Sequence, residues 1–356
     1  MEGTDAGGGA GGAGAPATRK PRYAVAARGS RLSLAQAGAV IGQLEEMNPG
    51  TSYEIVTITT RGDTDARPLF AIDQKGIFEK EVDRAVADGR ADFAVHSMKD
   101  VPSELPGGLA LACVPERERP EDVLITADGS TLEEMRPGAV IGTSSLRRAV
   151  QISRARPDVV VKPIRGNVET RIGKIRGGGS SNGNGNGSSS NNNNGNGSRA
   201  TAAVDGVVLA YAGVARLNLD VRYAVLPLDG FLPSPGQGAL AVVSRAGDAD
   251  TAAVLKCIEH ADSRAEADAE RALSDAVGSG CRFPVGALAR HTGSGIAIRA
   301  DAFSIDGSDS ITVDMAGGQD SAAADVGRRA GVEMMARGVS KLGLKWREGL
   351  AEWNRG

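Results

Sequence analysis

Arginine recurs at three places where a short apolar run ends in a turn rich in Ser, Thr or Gly and an amphipathic stretch begins. The stretches are Arg28-Gly29-Ser30, Thr143-Ser144-Ser145-Leu146-Arg147-Arg148, and Arg165-Gly166-Asn167 with Arg171. The first turn of a helix has unpaired N–H groups and favours acidic over basic side chains by roughly 0.3–1 kcal/mol. An anion bound there reverses that preference. The pattern therefore indicates a ligand with several carboxylates or phosphates, and solvated surface arginines are the alternative for any single position.

Lys99 and Asp100 stand side by side directly after the apolar run "ADFAVHS". A turn with a surface ion pair is the common structural interpretation. The functional one is an acid at the ligand site, with Lys99 and Ser97 helping to orient it or the substrate. No Cys/His spacing surrounds His96, so we expect no metal site. No G-x-x-x-x-G-K-[ST] or G-x-G-x-x-G follows a strand pattern, so ordinary nucleotide binding is not indicated.

Cys281 lies in "GSGCRFPVG", among small residues and beside an arginine, whereas Cys113 and Cys257 have apolar neighbours typical of a core. A neighbouring arginine favours the thiolate, so Cys281 is a candidate reactive thiol. The chain's 3 cysteines are widely spaced and odd in number. They predict a reducing compartment and no disulfide framework.

The 356 residues, of which 41% are hydrophobic and 3% aromatic, predict two or three domains with aliphatic cores. The net charge of -3 and the lack of basic runs argue against a nucleic-acid partner. No apolar run approaches the roughly 20 residues of a membrane span, and no secretory segment follows Met1. Gly/Ala-rich residues 1–22 are either a disordered leader or the remnant of a transit peptide.

Apolar runs that alternate with amphipathic stretches from Tyr23 onward predict α/β layers. The predicted domains are a first α/β domain (23–116 and 229–246), a second (117–228) and a smaller α+β domain (247–356) after the leader. Residues 177–198 consist of Gly, Ser and Asn alone. Such a segment cannot bury apolar surface, so we expect a disordered surface insert there.

Several ordered motifs carry a family resemblance: "AARGSRLSLAQA", "TTRGD", "KGIFEKE", "AVHSMKDVPSELP", "GTSSLRRA", "IRGNVETR", "GQGAL" and "GSGCRFPVGA". Together they resemble the porphobilinogen deaminase (hydroxymethylbilane synthase) family from about Tyr23 to Gly286. The resemblance implies two periplasmic-binding-protein-like α/β domains and a smaller α+β domain. It also implies a transferase that condenses four porphobilinogen molecules head to tail on a covalent dipyrromethane cofactor, releasing ammonia and giving hydroxymethylbilane.

The resemblance assigns roles residue by residue. It implies that Cys281 forms a thioether with the dipyrromethane and that Asp100 is the catalytic acid, which in its ionised form also stabilises a cationic azafulvene. The residues that it implies for binding carboxylates of substrate and cofactor are Arg28, Ser30, Gln36, Ser97, Lys99, Thr143, Ser144, Ser145, Arg147, Arg148, Arg165, Asn167, Arg171, Arg216 and Gln237. Arginine suits this role because its charged fork can hold a carboxylate through two hydrogen bonds.

The resemblance also implies a cytoplasmic monomer, with the plastid stroma as alternative, that can hand its product to uroporphyrinogen III synthase for haem or chlorophyll synthesis. Ala27 stands where threonine is common, Ser279 precedes Gly280 where glycine is common, and the 177–198 insert is atypical. None of these departures removes a charged or nucleophilic position. A non-catalytic anion-binding protein is the runner-up, and it would need neither Cys281 nor Asp100.

Overall fold

The computed structural model describes residues 20–60, 79–176, 203–278 and 284–344. The strands are β1 (Arg22–Arg28), β2 (Ser52–Ile58), β3 (Phe93–Ser97), β4 (Leu109–Cys113), β5 (Asp122–Thr126), β6 (Val140–Thr143), β7 (Val160–Pro163), β8 (Gly206–Ala210), β9 (Tyr223–Val225), β10 (Leu240–Arg245), β11 (Val285–Thr292), β12 (Gly295–Phe303) and β13 (Ser310–Gly317).

The helices are α1 (Arg31–Met47), α2 (Lys80–Ala87), α3 (Leu146–Ala155), α4 (Val168–Ile172), α5 (Tyr211–Arg216), α6 (Ala249–Leu255), α7 (Ala261–Val277), α8 (Ala323–Ala336) and α9 (Val339–Leu344). Short 3₁₀ turns span Met98–Asp100 and Lys256–Ile258. Within the described ranges, no helix is both long enough and apolar enough to cross a membrane.

The first sheet has the order β2-β1-β3-β10-β4. β1 is parallel to β2 and β3, whereas β10 runs antiparallel to β3 and β4. Alternate residues of a strand face opposite sides of a sheet. Accordingly Val25 packs on the side of α1, together with Val40, and Ala26 packs on the side of α2, together with Val82. Because β1 and β3 are parallel, Arg28 and Ser97 end at the same edge.

The second sheet has the order β7-β6-β8-β5-β9, with β6 parallel to β7 and β8, and β5 antiparallel to β8 and β9. Val208 of β8 packs with Ile152 of α3, and its neighbour Val207 packs on the other face with Val214 of α5. The parallel strands β6 and β7 end together at Thr143 and Pro163. The polar turns that follow them therefore lie at one edge, as expected for a ligand site in an α/β sheet.

The third sheet is the antiparallel meander β11-β12-β13, covered by α7 and α8. Glu270 of α7 is fully buried, and its Oε1 and Oε2 accept hydrogen bonds from Arg117 Nη1 (2.8 Å) and Nη2 (3.0 Å). The same carboxylate accepts from the backbone N–H of Gly236 (2.5 Å) and of Ala289 (2.8 Å). One glutamate thus fastens the third sheet to the segments that join the first two sheets.

The architecture confirms the predicted fold class: a mixed α/β chain in which two five-stranded sheets precede a smaller α+β unit. The domain boundaries stay a prediction. β1 begins at Arg22, inside the predicted leader, while residues 1–19 and the predicted insert 177–198 lie outside the described residues.

Three elements that the sequence pattern predicts have other bounds in the structure. The amphipathic pattern "NVETRIGKIR" predicts a helix over 167–176, but this helix ends at Ile172, because Ile175 instead pairs with Val204 in an isolated bridge. The apolar run "VDGVVLAY" predicts a strand through Tyr211, but the strand stops at Ala210, where α5 begins. The sequence also predicts a closing amphipathic stretch over 323–342, which divides into α8 and α9 near Gly338, whose φ of 99° is unfavourable for other residues.

Candidate active site

Gln237 belongs to the second of the two segments that connect the first sheet with the second, residues 114–121 and 226–239, and its side chain contacts the first of them. Its side chain is buried, and its Nε2 donates to Pro120 O (2.7 Å) and Asp122 Oδ1 (2.8 Å). Its Oε1 accepts from Arg148 Nη2 (3.2 Å) and, at 3.4 Å, from Lys99 Nζ. Gln237 therefore joins the lysine at the edge of the first sheet to an arginine of the second.

Arg147 and Arg148, in the first turn of α3, both turn toward Asp122 at the start of β5. Arg147 Nη2 is 2.8 Å from Asp122 Oδ2, and Arg148 Nη2 is 2.7 Å from Asp122 Oδ1. Backbone carbonyls complete their environment, since Leu232 O accepts from Arg147 Nη1 (2.5 Å) and Val208 O from Arg148 Nη1 (3.2 Å). A carboxylate of the chain itself, that of Asp122, thus faces the start of α3.

Two buried guanidiniums share one carboxylate, which leaves an excess of positive charge. Burial alone would raise the pKa of Asp122, but Arg147 and Arg148 hold it well below its usual range. Burial lowers the pKa of Arg147, and the neighbouring Arg148 lowers it further, against the attraction of Asp122. The cluster is therefore electrostatically suited to a further anion.

Arg165 and Arg171 extend this positive region from the turn after β7 and from α4. Burial lowers the pKa of Arg171 to about 10, and the charges of Arg148 and Arg165 push it in the same direction. Arg171 Nε donates to Gly166 O (2.8 Å), and Arg165 is exposed. Asn167 begins α4 by accepting hydrogen bonds from the N–H (2.8 Å) and the hydroxyl (2.7 Å) of Thr170. The positive charge of Arg148 in α3 thus acts electrostatically on Arg171 in α4.

Lys99 and Asp100 lie in the 3₁₀ turn Met98–Asp100 directly after β3, as the sequence predicts. Asp100 is exposed. Burial lowers the pKa of Lys99 to about 8, where Asp100 and Asp122 favour its charge and Arg148 and Arg147 oppose it. Since Gln237 Oε1 accepts from both Lys99 Nζ and Arg148 Nη2, the turn after β3 and the arginine cluster belong to one site.

Arg28, Ser30, Gln36 and Ser97 lie at the same edge of the first sheet. Ser30 caps α1, its hydroxyl accepting from Ser33 N (3.3 Å), and Arg28 N donates to Ser33 Oγ (3.1 Å). Gln36 is buried in α1, and its Nε2 donates to Ser97 Oγ (2.7 Å). Gln36 therefore positions the strand end from which Lys99 and Asp100 follow.

The remaining polar positions hold the turns of the second sheet. Thr143 Oγ1 accepts from Ser145 N (3.2 Å), Ser144 Oγ donates to Ile164 O (2.6 Å), and Ser145 Oγ, the cap of α3, accepts from Arg148 N (3.5 Å). Arg216, at the end of α5, donates through Nη2 to Gly238 O (2.7 Å). These contacts fix the backbone from which the arginines project.

Among the cysteines, Cys113 is buried in the core of the first sheet and Cys257 packs against that core half-buried, as expected. Burial raises the pKa of the Cys113 thiol. Cys281 lies outside the described residues.

Sequence reasoning missed two carboxyl groups of this region. Asp122 opens β5 in "RPEDVL", where nothing in the local pattern tells a buried counter-ion from a solvated acid. Glu79 immediately precedes α2 and is 6% exposed, although its sequence neighbours Lys80 and Glu81 give it the appearance of a surface position. The burial of Asp122 and Glu79 becomes apparent only in the folded chain, where segments that are far apart in the sequence come together.

Comparison with known proteins gives matches over most of the chain. Residues 23–253 match the family model described as porphobilinogen deaminase, dipyromethane cofactor binding domain, and residues 265–336 match that of the porphobilinogen deaminase C-terminal domain. The chain is 54% identical over 334 residues to the "Probable porphobilinogen deaminase" of Nitrosopumilus maritimus, covering 94% of this chain and 99% of that protein.

A second relative is the "Porphobilinogen deaminase" of Desulforudis audaxviator, 39% identical over 91% of this chain and 98% of its own length. Among solved structures, the methionine binding protein MetQ aligns with 67% of this chain and 90% of its own at 8% identity and a TM-score of 0.36, a similarity too low to carry an argument. The family models and relatives agree with one another, and the chain belongs to the porphobilinogen deaminase family.

Proposed function

We propose that the site around Gln237 carries out the reaction of the family, the head-to-tail condensation of porphobilinogen during tetrapyrrole synthesis, with Asp100 as its catalytic group. The family model and the relatives support this activity, which makes the chain a transferase of the hydroxymethylbilane synthase type. The observation that carries the assignment of the site is the excess of buried and half-buried cations beside the exposed Asp100.

The residues present fit the dipyrromethane cofactor of the family. Each pyrrole of the growing chain bears an acetate and a propionate, so the ligand is strongly anionic. Arg147 and Arg148 together keep one positive charge beyond that balanced by Asp122, and Arg171 lies in the field of two other guanidiniums. We assign Arg147, Arg148, Arg165, Arg171, Lys99 and Gln237 to its carboxylates, and Cys281 to the covalent attachment.

The dipyrromethane, when bound, supplies the pyrrole carbon to which the first substrate is joined. Arg28, Ser30, Gln36, Ser97 and Arg216 would hold incoming porphobilinogen, with Thr143, Ser144, Ser145 and Asn167 fixing the turns on the opposite side. Each substrate loses its aminomethyl nitrogen as ammonia, which requires a proton on the departing amine. Asp100 is exposed at a strand end and can deliver that proton or, when ionised, stabilise the positive charge that develops on the pyrrole.

We further propose a cytoplasmic monomer whose product can pass to uroporphyrinogen III synthase. Most of the relatives are bacterial or archaeal proteins, and bacteria and archaea lack plastids, which favours the cytoplasm over a plastid stroma.

The experiment that tests this function combines intact mass with turnover. We expect the purified protein to exceed its sequence mass by the covalent dipyrromethane and to release ammonia from porphobilinogen. Cys281→Ser should lack both the added mass and the activity, whereas the matched variant Cys257→Ser should keep both. An active Cys281→Ser protein, or a wild type that stays at the unmodified mass after incubation with porphobilinogen, would contradict the proposal.

A further inference from the structure

Arg271, a half-buried residue of α7, donates hydrogen bonds to the backbone that directly follows Asp100. Its Nη2 donates to the carbonyl oxygens of Pro102 (3.0 Å) and Ser103 (2.9 Å). Its Nη1 donates to the carbonyl oxygen of Val101 (3.4 Å). One guanidinium from the third unit thus holds three successive carbonyl groups immediately after the acid of the proposed reaction.

The segment that Arg271 contacts belongs to an irregular part of the chain. Residues 101–108 lie between the 3₁₀ turn that contains Asp100 and β4, and they form neither helix nor strand. Backbone carbonyl groups withdrawn from water need a hydrogen-bond donor. A guanidinium has five N–H donors in one rigid plane, so it can serve several acceptors, whereas the ammonium of lysine is a single point of charge. Arg271 therefore gives this segment hydrogen bonds of the kind that a sheet gives to a strand.

The contact is part of a row along one face of α7, because residues four apart in a helix are neighbours on its surface. Ala267, one turn before Arg271, is fully buried in a core that includes Met98. Arg271 Nη1 lies 3.8 Å from the sulfur of the same methionine. Asp275, one turn after Arg271, accepts a hydrogen bond at Oδ1 from Ser103 Oγ (2.8 Å). Three successive turns of α7 thus hold the 3₁₀ turn and the segment that follows it.

Two anchors therefore fix the position of Asp100. On the side of the first sheet, Met98 N donates to the carbonyl oxygen of Ala239, directly before β10 (3.0 Å). The other anchor is α7, which ends at Val277, and the proposed attachment residue Cys281 follows four positions later in the sequence. The helix that holds the backbone after Asp100 is thus the helix from which the segment with the cofactor cysteine begins.

We propose that Arg271 is a positioning residue that acts through the carbonyl groups of residues 101–103 and keeps Asp100 in register with the segment that carries Cys281. This rests on the proposed roles of Asp100 and Cys281. An acid–base group contributes to catalysis where it lies within hydrogen-bond reach of the proton that it transfers. A displacement of about 1 Å can lower a rate by about 10²-fold. Without Arg271, the turn keeps its attachment to the first sheet but loses most of its hydrogen bonds to α7.

Hydrogen exchange tests the contact without reference to activity. In holoenzyme Arg271→Met, the amides of residues 99–105 should exchange with deuterium faster than in wild type, because the segment loses the hydrogen bonds that hold it to α7. Arg264→Met is the matched control, since Arg264 is likewise a half-buried arginine of α7 but donates through Nη2 to Leu111 O in β4 (3.2 Å). The control should leave exchange over 99–105 unchanged. Equal exchange there in Arg271→Met and wild type overturns the proposal.

Turnover in two backgrounds tests the action through Asp100, which a merely stabilising contact would not show. By intact mass, Arg271→Met should carry the full covalent cofactor, yet it should release ammonia about 10-fold to 10²-fold more slowly than wild type. Arg264→Met should stay close to the wild-type rate. In an Asp100→Asn background, Arg271→Met should change turnover by less than about twofold, because the group that it positions is already gone. An undiminished rate in Arg271→Met, or an equal fold loss in both backgrounds, overturns the proposal.

Should Arg271→Met not fold, Arg271→Lys decides, since it keeps the charge but replaces the planar fork by one ammonium group. It should show a smaller loss of turnover that again disappears in the Asp100→Asn background. No loss, or a loss that persists in that background, overturns the proposal. Failure of the proposed function itself would appear separately, as full activity of Asp100→Asn or of Cys281→Ser.

Discussion

Asp122 determines how the arginines of the site can be buried at all. A guanidinium cannot lose its proton in a protein, so Arg147 and Arg148 remain charged inside the molecule and need a counter-ion. Asp122 supplies one negative charge to both, and Gln237 Nε2 donates to the same carboxylate oxygen as Arg148. The site therefore keeps its arginines in place without neutralising them.

Asp122→Asn should destabilise the protein by about 3–5 kcal/mol at neutral pH, because it leaves two buried cations without a counter-ion. The depressed pKa of Asp122 gives the sign of the pH dependence. Its stabilisation is fully present above the ordinary pKa of 3.8 and is lost as pH falls toward the folded value. The difference in unfolding free energy from wild type, measured by urea denaturation, should thus shrink below about pH 4. A variant as stable as wild type at pH 7 would contradict the role of Asp122.

The loop Gly236-Gln237-Gly238 is the element that brings the two sheets' charges together. Gly236 and Gly238 have φ values of 76° and 90°, a region that favours glycine. A Cβ on Gly238 would lie 2.2 Å from the carbonyl oxygen of Glu118, and one on Gly236 would lie 2.8 Å from Met98 Cγ. The two glycines therefore allow Gln237 to reach both the turn after β3 and Asp122.

Gly238→Ala should reduce both stability and turnover, because the loop must move away from Glu118 and carry Gln237 with it. Gly138→Ala is the matched control, since its φ is 73° but a Cβ there meets nothing within 4 Å. Gly138→Ala should lower the unfolding free energy only by the roughly 1–2 kcal/mol that a left-handed backbone costs a residue with a Cβ. It should leave turnover unchanged. Equal effects of the two substitutions on calorimetric stability and on ammonia release would refute the close-approach argument.

Most elements that surround this loop could be predicted from the sequence, because they follow local apolar periodicity. The apolar runs that end at Arg28, Ser97 and Thr143 are the strands β1, β3 and β6, and the amphipathic stretches that follow Ser30 and Ser145 are the helices α1 and α3. The position of β10 between β3 and β4 could not, since strand order depends on contacts far apart in the chain. For the same reason the arginines were predicted as anion ligands, whereas their shared partner Asp122 was not.

At the scale of the whole molecule, Glu270 holds the third sheet against the site. Burial alone would lower the pKa of Arg117, but Glu270 and Glu266 raise it above its ordinary value. Arg117 Nε also donates to the carbonyl oxygen of Gln237 (2.9 Å), and Glu270 accepts from Gly236 N. The unit predicted to carry the cofactor cysteine is thus connected directly to the loop that joins the other two sheets.

Glu270→Gln should lower the unfolding free energy by about 3 kcal/mol, because it breaks a buried ion pair. We expect the low end of the range for such pairs, since Arg117 keeps a second carboxylate partner in Glu266. An amide also offers one acceptor oxygen where the carboxylate serves two backbone N–H groups. Glu333→Gln, at an exposed pair with Arg337, should change stability by less than about 1 kcal/mol. If denaturant titration shows an equally small loss of unfolding free energy in both variants, Glu270 does not hold the third sheet in place.

The most direct test of the account is the turnover of Asp100→Asn at matched cofactor content. Intact mass should show that the variant carries the same covalent dipyrromethane as wild type, since the arginine cluster and Cys281 are unchanged. Its rate of ammonia release from porphobilinogen should fall by at least about 10²-fold, the contribution of a positioned acid–base group. A fully loaded Asp100→Asn protein that works within a few-fold of the wild-type rate would contradict the account.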